Sequence, residues 1–170
     1  APKQIDNGDS PDRSLTDISD LIPESATGSY DVRELIERVV DDEITTEIRK
    51  DWATNIVTTL ATINGHPVGI IANQPQYLAG TLDIYASQKG ARFVTFCDAF
   101  NLPIITFVDT PGFQPGKDLE WRGMIRHGAQ LAFAYANATV PRICITLRKS
   151  YGGAYIVMDS KYMGNDLAIA

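Results

Sequence analysis

The sequence has few of the side chains that enzymes most often use as nucleophiles, general bases or metal ligands. Its 170 residues include two histidines and two cysteines. Cys97 and Cys144 stand in apolar surroundings and form no CxxC pair, so we expect two buried free thiols in a reducing compartment. His66 follows a predicted turn, His127 lies in a predicted helix, and neither belongs to a GxSxG nucleophile motif. These shortages argue against a metal site and against a catalytic triad.

A basic surface and a long apolar segment are missing as well. The chain has 15 Lys and Arg residues against 21 Asp and Glu residues, a formal net charge of −6. This balance argues against a protein that binds nucleic-acid backbones. No apolar run is long enough to span a bilayer, and no signal peptide is recognisable. We therefore expect neither nucleic acid nor a membrane as a partner. The expected location is the cytoplasm, or the mitochondrial matrix in a eukaryote.

What is present indicates one α/β domain behind a polar segment. Residues 1–28 are rich in Asp, Ser, Pro and Gly and lack a sustained periodicity. This composition predicts a flexible linker and a further domain before it. Residues 29–170 alternate strand-like and helix-like segments, which is typical of an α/β fold.

The individual elements follow from caps, turns and apolar periodicity. A helix over 31–40 begins at Asp31, and Glu34 completes a capping box. An Asn64-Gly65 turn joins the first two long strands. The periodicity predicts strands over 55–63, 67–72, 104–108 and 143–147, helices over 83–100 and 119–138, a short helix from residue 154 and a strand from residue 166. The helix over 119–138 is rich in Gly and Ala, which favours a packing role over a catalytic one.

The segment Asp109-Thr110-Pro111-Gly112 follows a buried strand and resembles the magnesium and switch element of a GTPase. That interpretation requires a phosphate-binding GxxxxGK[ST] loop, and the sequence has none. We therefore reject nucleotide hydrolysis. The remaining interpretation is a turn that directs the backbone towards a ligand at the carboxyl edge of the sheet.

The segment from Ser150 to Tyr155 joins a strand to a helix through Gly152-Gly153. Glycines permit a sharp turn, and the first amides of a helix have no intrahelical acceptor. Such amides stabilise a developing oxyanion. A Gly-Gly pair that serves only packing explains the pattern equally well, so both interpretations stay open on pattern alone. Because no side-chain base is evident, oxyanion chemistry here requires a base from another reactant.

Seven segments of the sequence are similar to the carboxyltransferase β-subunits of acetyl- and propionyl-CoA carboxylases, and the resemblance runs from about residue 15 to residue 170. The segments are VGIIANQP (68–75), ARFV (91–94), FCDAFN (96–101), DTPGF (109–113), IRHGA (125–129), ATVP (138–141) and YGGAY (151–155). The resemblance implies a crotonase-like (ClpP/crotonase) fold, a ββα superhelix. In that family each subunit has an N and a C domain, and residues 29–170 resemble the first part of the C domain. We therefore expect a fragment without the N domain, which binds most of the coenzyme A, and with an incomplete C domain.

The family reaction moves a carboxyl group from N1 of carboxybiotin to the α-carbon of an acyl-CoA, and the ureide anion left behind takes the α-proton. By resemblance, the N–H groups of Gly153 and Ala154 form the oxyanion hole for the ureide oxygen. Gly112 and Phe113 lie beside the biotin ring, and no metal takes part. The implied products are malonyl-CoA from acetyl-CoA and methylmalonyl-CoA from propionyl-CoA, with a place in fatty acid biosynthesis.

Tyr155 and Ile156 complete the predicted substrate and biotin site. Many relatives have Asp where this chain has Ile156, so we expect this position to affect the choice of acyl chain, with acetyl-CoA accepted alongside propionyl-CoA.

The resemblance also implies partners. They are a biotin carboxyl carrier, a biotin carboxylase α-subunit, and further β-subunits in a homo-hexamer whose sites form between the N domain of one subunit and the C domain of another. The Gly- and Ala-rich helix would pack at that subunit interface. Two alternatives stay open: a subunit of a biotin-dependent decarboxylase or transcarboxylase, and a non-catalytic assembly fragment.

Overall fold

The computed structural model describes residues 3–5, 8–10 and 12–170. The described residues form one six-stranded sheet in the order of the chain. The strands are β1 (Thr46–Glu47), β2 (Ile56–Ile63), β3 (His66–Asn73), β4 (Ile104–Thr110), β5 (Arg142–Ser150) and β6 (Leu167–Ile169). The helices are α1 (Ile18–Leu21), α2 (Val32–Val39), α3 (Ile84–Ala99), α4 (Lys117–Trp121), α5 (Met124–Asn137) and α6 (Gly152–Val157).

The sheet is mixed, and its strand directions follow from the connections. β1, β2 and β3 are antiparallel neighbours, whereas β3 to β6 run parallel. The two-residue turn between β2 and β3 has Asn64 at φ 48° and Gly65 at φ 71°, which confirms the hairpin expected from Asn-Gly. The carboxylate of Asp41 accepts both turn amides at 2.8 Å, so this end of the hairpin is held by a side chain as well as by the ladder.

Two layers of helix cover the sheet, one on each face. On β3, Ile71 packs into one core with Val94 of α3 and Leu131 of α5. The neighbouring Ile70 points to the other face, where it packs with Leu35 of α2. This alternation is what the period of a strand requires. The predicted α/β class is therefore confirmed.

The predicted helix over 119–138 is wrong in one respect, because it is two helices. α4 ends at Trp121 and α5 begins at Met124. Between them Gly123 adopts φ 88°, a left-handed conformation, and its N–H donates to the carbonyl of Glu120 at 3.0 Å. A glycine in this conformation ends a helix at little cost, which the apolar periodicity did not reveal. The buried side of α5 carries Gly128 and Leu131, in agreement with a packing role for its small residues.

Part of the N-terminal segment contacts the sheet. Leu21 and Ile22 pack against the core on the α2 face, and the Arg148 guanidinium donates to the carbonyls of Ser25 at 2.7 Å and Gly28 at 2.9 Å. Residues 1, 2, 6, 7 and 11 lie outside the described residues. The boundary after residue 28 stays a prediction.

The two cysteines are buried and free, as expected. Burial raises the pKa of each thiol, Cys97 and Cys144, to about 12, so both stay protonated at neutral pH. His127 belongs to α5, and its Nδ1 is 3.1 Å from both Gln88 Nε2 of α3 and Gln130 Oε1 of α5. Within the described ranges, no helix is long and apolar enough to cross a membrane, and no three acidic, His or Cys side chains are grouped as metal ligands.

Lys89 is a buried cation that joins α3 to the start of β2. Its side chain is 1% exposed, and its Nζ donates to the carbonyl of Ile56 at 2.8 Å. Burial lowers the pKa of this ammonium from 10.5 to about 8, because the charged form loses hydration that the carbonyls only partly replace.

Lys89 should therefore make stability depend on pH in the alkaline range. In the folded state Lys89 loses its proton near pH 8, whereas in the unfolded chain it keeps it up to its ordinary pKa of 10.5. Between these values the unfolded state binds more protons, so the free energy of unfolding rises with pH relative to Lys89→Met. Urea denaturation of both proteins from pH 7 to 10.5 measures the difference.

The comparison with Lys89→Met is necessary because the buried thiols act in the opposite direction. Cys97 and Cys144 ionise earlier in the unfolded chain, which lowers stability as the pH rises. Both proteins share that effect, and it cancels in the difference. Lys161→Met, a change at an exposed lysine, should show the same dependence of the free energy of unfolding on pH as the wild type. A difference between wild type and Lys89→Met that stays constant over the range would contradict the assignment.

Candidate active site

The candidate site lies where the parallel strands β4 and β5 end at the same edge of the sheet. Thr110 at the end of β4 is paired with Ser150 at the end of β5. The N–H of Tyr151 then donates to the carbonyl of Thr110 at 3.2 Å. The segment 111–113 leaves one strand and α6 begins just beyond the other, so the two predicted halves of the site are neighbours.

The backbone around Gly112 and Phe113 is held in an extended shape. Leu82 donates its N–H to the carbonyl of Gly112 at 3.1 Å and accepts the N–H of Gln114 at 2.8 Å. The N–H of Gly112 donates to Thr110 Oγ1 at 3.3 Å. Gly112 has φ 146°, a conformation that favours glycine. The turn is therefore fixed from both sides and directs Phe113 towards α5 and α6.

The start of α6 supplies backbone donors. The helix begins at Gly152, two residues earlier than predicted, and the N–H of Tyr155 donates to the carbonyl of Tyr151 at 3.4 Å. By the geometry of a helix start, the N–H groups of Gly152, Gly153 and Ala154 have no acceptor within the helix. Such groups suit an oxygen that gains negative charge during a reaction.

The ring of Phe113 fills the space between two glycines. A Cβ on Gly128 of α5 would lie 2.8 Å from Phe113 Cζ, and a Cβ on Gly153 of α6 would lie 3.3 Å from Phe113 Cε2. Both distances are shorter than ordinary van der Waals contact, so glycine at these positions is what lets the ring pack against the two helices. The small residues of α5 thus contribute directly to the candidate site.

A pocket of about 530 Å³ opens beside this ring. Phe113, Gly128, Gly153 and Ile156 contribute to its wall, so three of the predicted site residues share one cavity. Ile156 is 45% exposed, which leaves its side chain accessible to a ligand. Glu120 is the one charged residue among the described residues that line the pocket. The arrangement can hold a flat, largely apolar group with a polar oxygen directed at the backbone of α6.

The other three predicted residues, Gly112, Ala154 and Tyr155, do not line this pocket. Gly112 precedes Phe113, and a Cβ there would meet nothing within 4 Å. Ala154 is fully buried, backbone included, so of the two predicted backbone donors only Gly153 is exposed. Tyr155 packs against the core on the α3 face. The roles of these residues in binding stay predictions.

The sequence analysis missed a buried charge cluster beneath the site. Asp109 is fully buried, and its Oδ2 is 3.1 Å from both Nε and an Nη of Arg148. Its Oδ1 accepts the N–H of Lys149 at 3.2 Å and lies 3.7 Å from Lys149 Nζ. The Arg148 guanidinium also stands over the ring of Tyr30, 5.3 Å from its centroid. Burial, and then the charge of Asp109, raises the pKa of the Tyr30 hydroxyl above its ordinary value.

A signal for this cluster was present in the sequence. Asp109 follows one predicted buried strand, and Arg148 and Lys149 follow the next. Because the carboxyl ends of parallel strands meet at one edge of a sheet, opposite charges at those positions predict an ion pair. Asp109 also begins the DxxG motif, which on its own indicates a nucleotide-binding turn and not an ion pair with Arg148 or Lys149.

The class of the fold is crotonase-like, as predicted. A crystal structure of transcarboxylase 12S, described as a hexamer with hydrolysed methylmalonyl-coenzyme A bound, superposes with a TM-score of 0.94 at 44% identity. The superposition covers 98% of this chain and 32% of the 12S chain. The predicted resemblance is confirmed as well, because the Carboxyl transferase domain family matches residues 1–170. The chain belongs to this family.

Two curated relatives show how the family branches. The carboxyltransferase subunit of propionyl-CoA carboxylase from Haloferax mediterranei is 47% identical over 169 residues, which are 99% of this chain and 33% of the relative. The methylmalonyl-CoA decarboxylase subunit alpha from Veillonella parvula is 48% identical over 166 residues, 98% of this chain and again 33% of the relative. The chain thus spans about a third of the length of the curated relatives it matches.

The contact between Gly128 and Phe113 predicts an unusual response to a helix-favouring mutation. Gly→Ala within a helix normally stabilises it by about 1 kcal/mol. Gly128→Ala should instead lower the free energy of unfolding by about 1–3 kcal/mol, since the new Cβ displaces the Phe113 ring. In a Phe113→Leu background the same change should be neutral or stabilising. A double-mutant cycle by urea denaturation measures this coupling.

The matched control is Ala99→Leu, which adds a larger side chain at an exposed position of α3. It should change stability by less than about 0.5 kcal/mol. Additive effects of Gly128→Ala and Phe113→Leu would show that the two residues are not in contact.

Proposed function

We propose that the polypeptide containing this chain is a biotin-dependent acyl-CoA carboxyltransferase, and that this chain forms its biotin side. One observation carries the proposal: in a member of the Carboxyl transferase domain family, the first turn of α6 borders, at Gly153, an apolar pocket walled by Phe113. The chain covers about a third of its relatives, so activity, substrates and partners of the whole protein belong to the proposal.

The pocket has the size and chemistry that the biotin ring system requires. Its volume of about 530 Å³ lies within the range of roughly 300–1,000 Å³ that small-molecule sites occupy. Phe113 offers a flat apolar wall, and the amides of Gly153 and Ala154 offer donors for one polar oxygen. No metal ligand is needed for such a group.

The residues of this chain act by binding and by electrostatics. Bound carboxybiotin would supply CO2 and, once its N1–carboxyl bond has broken, the ureide anion that takes the α-proton before the α-carbon is carboxylated. The N–H groups of Gly153 and Ala154 stabilise negative charge on the ureide oxygen, and because they are fixed by α6 they need no reorganisation when that charge develops. The pocket wall from Phe113 to Ile156 excludes water from one side of the ring. Among the described residues lining the pocket there is no His or Lys, which supports a base from the other reactant.

The preferred direction of the reaction is carboxylation of acetyl-CoA or propionyl-CoA, giving malonyl-CoA or methylmalonyl-CoA. The partners proposed with it are a carrier protein that bears biotin, a biotin carboxylase α-subunit and further subunits in a homo-hexamer. The exposed face of α5, with Phe133 71% exposed, is the surface proposed for the subunit contact. We place the protein in the cytoplasm and the reaction in fatty acid biosynthesis.

A second candidate uses the same chemistry in reverse. The 48% identity with a methylmalonyl-CoA decarboxylase subunit favours a decarboxylase, in which the carboxyl group passes from a malonyl-type CoA to biotin. Co-purification distinguishes the two: a biotin carboxylase partner supports the carboxylase, and a membrane sodium-pump subunit supports the decarboxylase. If the complete polypeptide shows no transfer in either direction, it is a non-catalytic assembly protein.

Removing one oxyanion donor tests the catalytic assignment. Gly153→Pro lacks the N–H, and Gly153 lies in the first turn of α6, where proline breaks no intrahelical hydrogen bond. We expect kcat of the complete polypeptide to fall about 100- to 1,000-fold. The assay follows transfer of a ¹³C-labelled carboxyl group from the carrier to propionyl-CoA by mass spectrometry.

Gly153→Ala is the matched control, because it keeps the N–H and adds only a Cβ near Phe113. Its kcat should stay within about tenfold of wild type, since the ring has to move by only a few tenths of an ångström. If kcat falls equally in Gly153→Pro and Gly153→Ala, the reaction depends on packing at residue 153 and not on its N–H donor.

Ile156 provides a test of substrate choice. Ile156→Asp places a carboxylate in the pocket. Acetyl-CoA and propionyl-CoA differ by one methylene, and one methylene in an apolar pocket is worth about 1–3 kcal/mol. We therefore expect the ratio of kcat/KM for acetyl-CoA to that for propionyl-CoA to change about 10-fold or more. Steady-state kinetics with both acyl-CoAs measure the ratio. Ile156→Val, which keeps the apolar branched shape, should leave it within about twofold. An unchanged ratio in Ile156→Asp would exclude this residue from the acyl site.

A further inference from the structure

An irregularity in the sheet lies directly beneath the candidate site. Val108 of β4 is paired with Thr146 of β5, and the next pair is Thr110 with Ser150. Between these pairs β4 contributes one residue, Asp109, whereas β5 contributes three, 147–149. A bulge of this kind bends its strand and changes the direction in which the chain leaves it. Here the chain leaves β5 through Tyr151 into α6.

The carboxylate of Asp109 fills this bulge. One oxygen bonds the Arg148 guanidinium through two nitrogens, each at 3.1 Å, and the other accepts the Lys149 N–H at 3.2 Å. One side chain of β4 thus binds both a side chain and the backbone of β5 where the strand is irregular. These bonds replace the ladder hydrogen bonds that a regular pairing would supply, so the shape of the bulge depends on Asp109.

Asp109 is itself fixed by its surroundings. Its N–H donates to Asn73 Oδ1 at 3.2 Å, which ties it to the end of β3. Gly80 passes directly over it, since a Cβ there would lie 2.5 Å from the Asp109 carbonyl oxygen. Arg148 Nη1 donates to the carbonyl of Ser25, and Nη2, which also contacts Asp109, donates to the carbonyl of Gly28. Asp109 therefore joins β3 through its backbone N–H, and β5 and the N-terminal segment through its carboxylate and Arg148.

Both halves of the candidate site begin at this point. Asp109 lies three residues before Gly112 on one strand, and Lys149 lies four residues before Gly153 on the other. Along β5 the bulge is separated from α6 by two residues, 150 and 151, the second of which is bonded to Thr110. A change in the bulge therefore moves the amides of α6 relative to Phe113.

We propose that Asp109 is a positioning residue: by holding the bulge of β5 through Arg148 and Lys149, it sets the distance between the oxyanion amides of α6 and the wall formed by Phe113. The inference rests on the proposed function, because it assigns a catalytic purpose to that distance. Asp109 does not line the pocket and acts only through its neighbours. A misplacement of about 1 Å at a reacting group can cost about 100-fold in rate.

Asp109→Asn tests the proposal in the complete polypeptide. The amide keeps the shape but places an N–H against Arg148, so the bulge must rearrange. We expect kcat to fall about 30- to 100-fold, with KM for the acyl-CoA within about twofold of wild type, since the acyl-CoA is proposed to bind mainly outside this chain. Arg148→Gln in the same chain allows a neutral Asn–Gln pair, and the double variant should recover at least about fivefold of the lost kcat.

Asp41→Asn is the control for stability alone. Asp41 is also a buried carboxylate that accepts backbone N–H groups, those of Asn64 and Gly65, but it lies at the turn of the β2–β3 hairpin. Asp41→Asn should lower Tm without changing kcat. If Asp109→Asn does not fold, Arg148→Lys replaces it, since it keeps the charge and loses the two-pronged contact. We then expect a fall in kcat of about 10-fold with the same KM.

Hydrogen exchange separates a failure of this proposal from a failure of the proposed function. The amides of Tyr151 and Tyr155 are hydrogen-bonded, and in Asp109→Asn they should exchange at least about 10-fold faster, with no such change in Asp41→Asn. A wild type without carboxyl transfer refutes the function, while faster exchange still supports the positioning of α6. Unchanged exchange, or an unchanged kcat in an active enzyme, overturns the positioning role.

Discussion

The buried carboxylate of Asp109 is the constraint on which this edge of the structure depends. An unpaired charge in a protein interior is so unfavourable that it must find partners, and here the partners come from the next strand, as Arg148 and Lys149. The remaining N–H groups of the Arg148 guanidinium donate to the carbonyls of Ser25 and Gly28. One buried charge thus fixes a bulge, the direction of a helix and the path of the N-terminal segment.

A second constraint is steric and concerns Phe113. The ring can lie between α5 and α6 because the nearest residues, Gly128 and Gly153, have no Cβ. Close packing of this kind leaves no freedom for the ring, so the pocket wall is rigid before any ligand arrives. The electrostatic constraint at Asp109 and the steric one at Phe113 act on the same short segments from opposite sides. Together they give the site its shape.

The chemistry that results is one-sided. The proposed donors are the backbone N–H groups of Gly153 and Ala154 beside an apolar wall, and the described pocket residues include no proton acceptor except the carboxylate of Glu120. A site of this composition stabilises charge and depends on another molecule for the base. A site that needs groups from another molecule agrees with a chain that covers about a third of each curated relative. The acyl-CoA is proposed to bind mainly to parts of the polypeptide outside this chain.

The sequence by itself determined the local features, because their physical causes lie within a few residues. The Asn64-Gly65 turn, the cap at Asp31, which accepts the Arg33 N–H at 3.0 Å, and the buried strand β4 were all predicted. The break at Gly123 was local too, but several backbone conformations suit a glycine, and only the packing of α5 selects one. The sequence places opposite charges after two buried strands, but only the tertiary structure brings Asp109 and Arg148, 39 residues apart, into contact. It alone also decided the contact of Phe113 with two helices. Such contacts depend on the order and register of parallel strands, which local propensities do not specify.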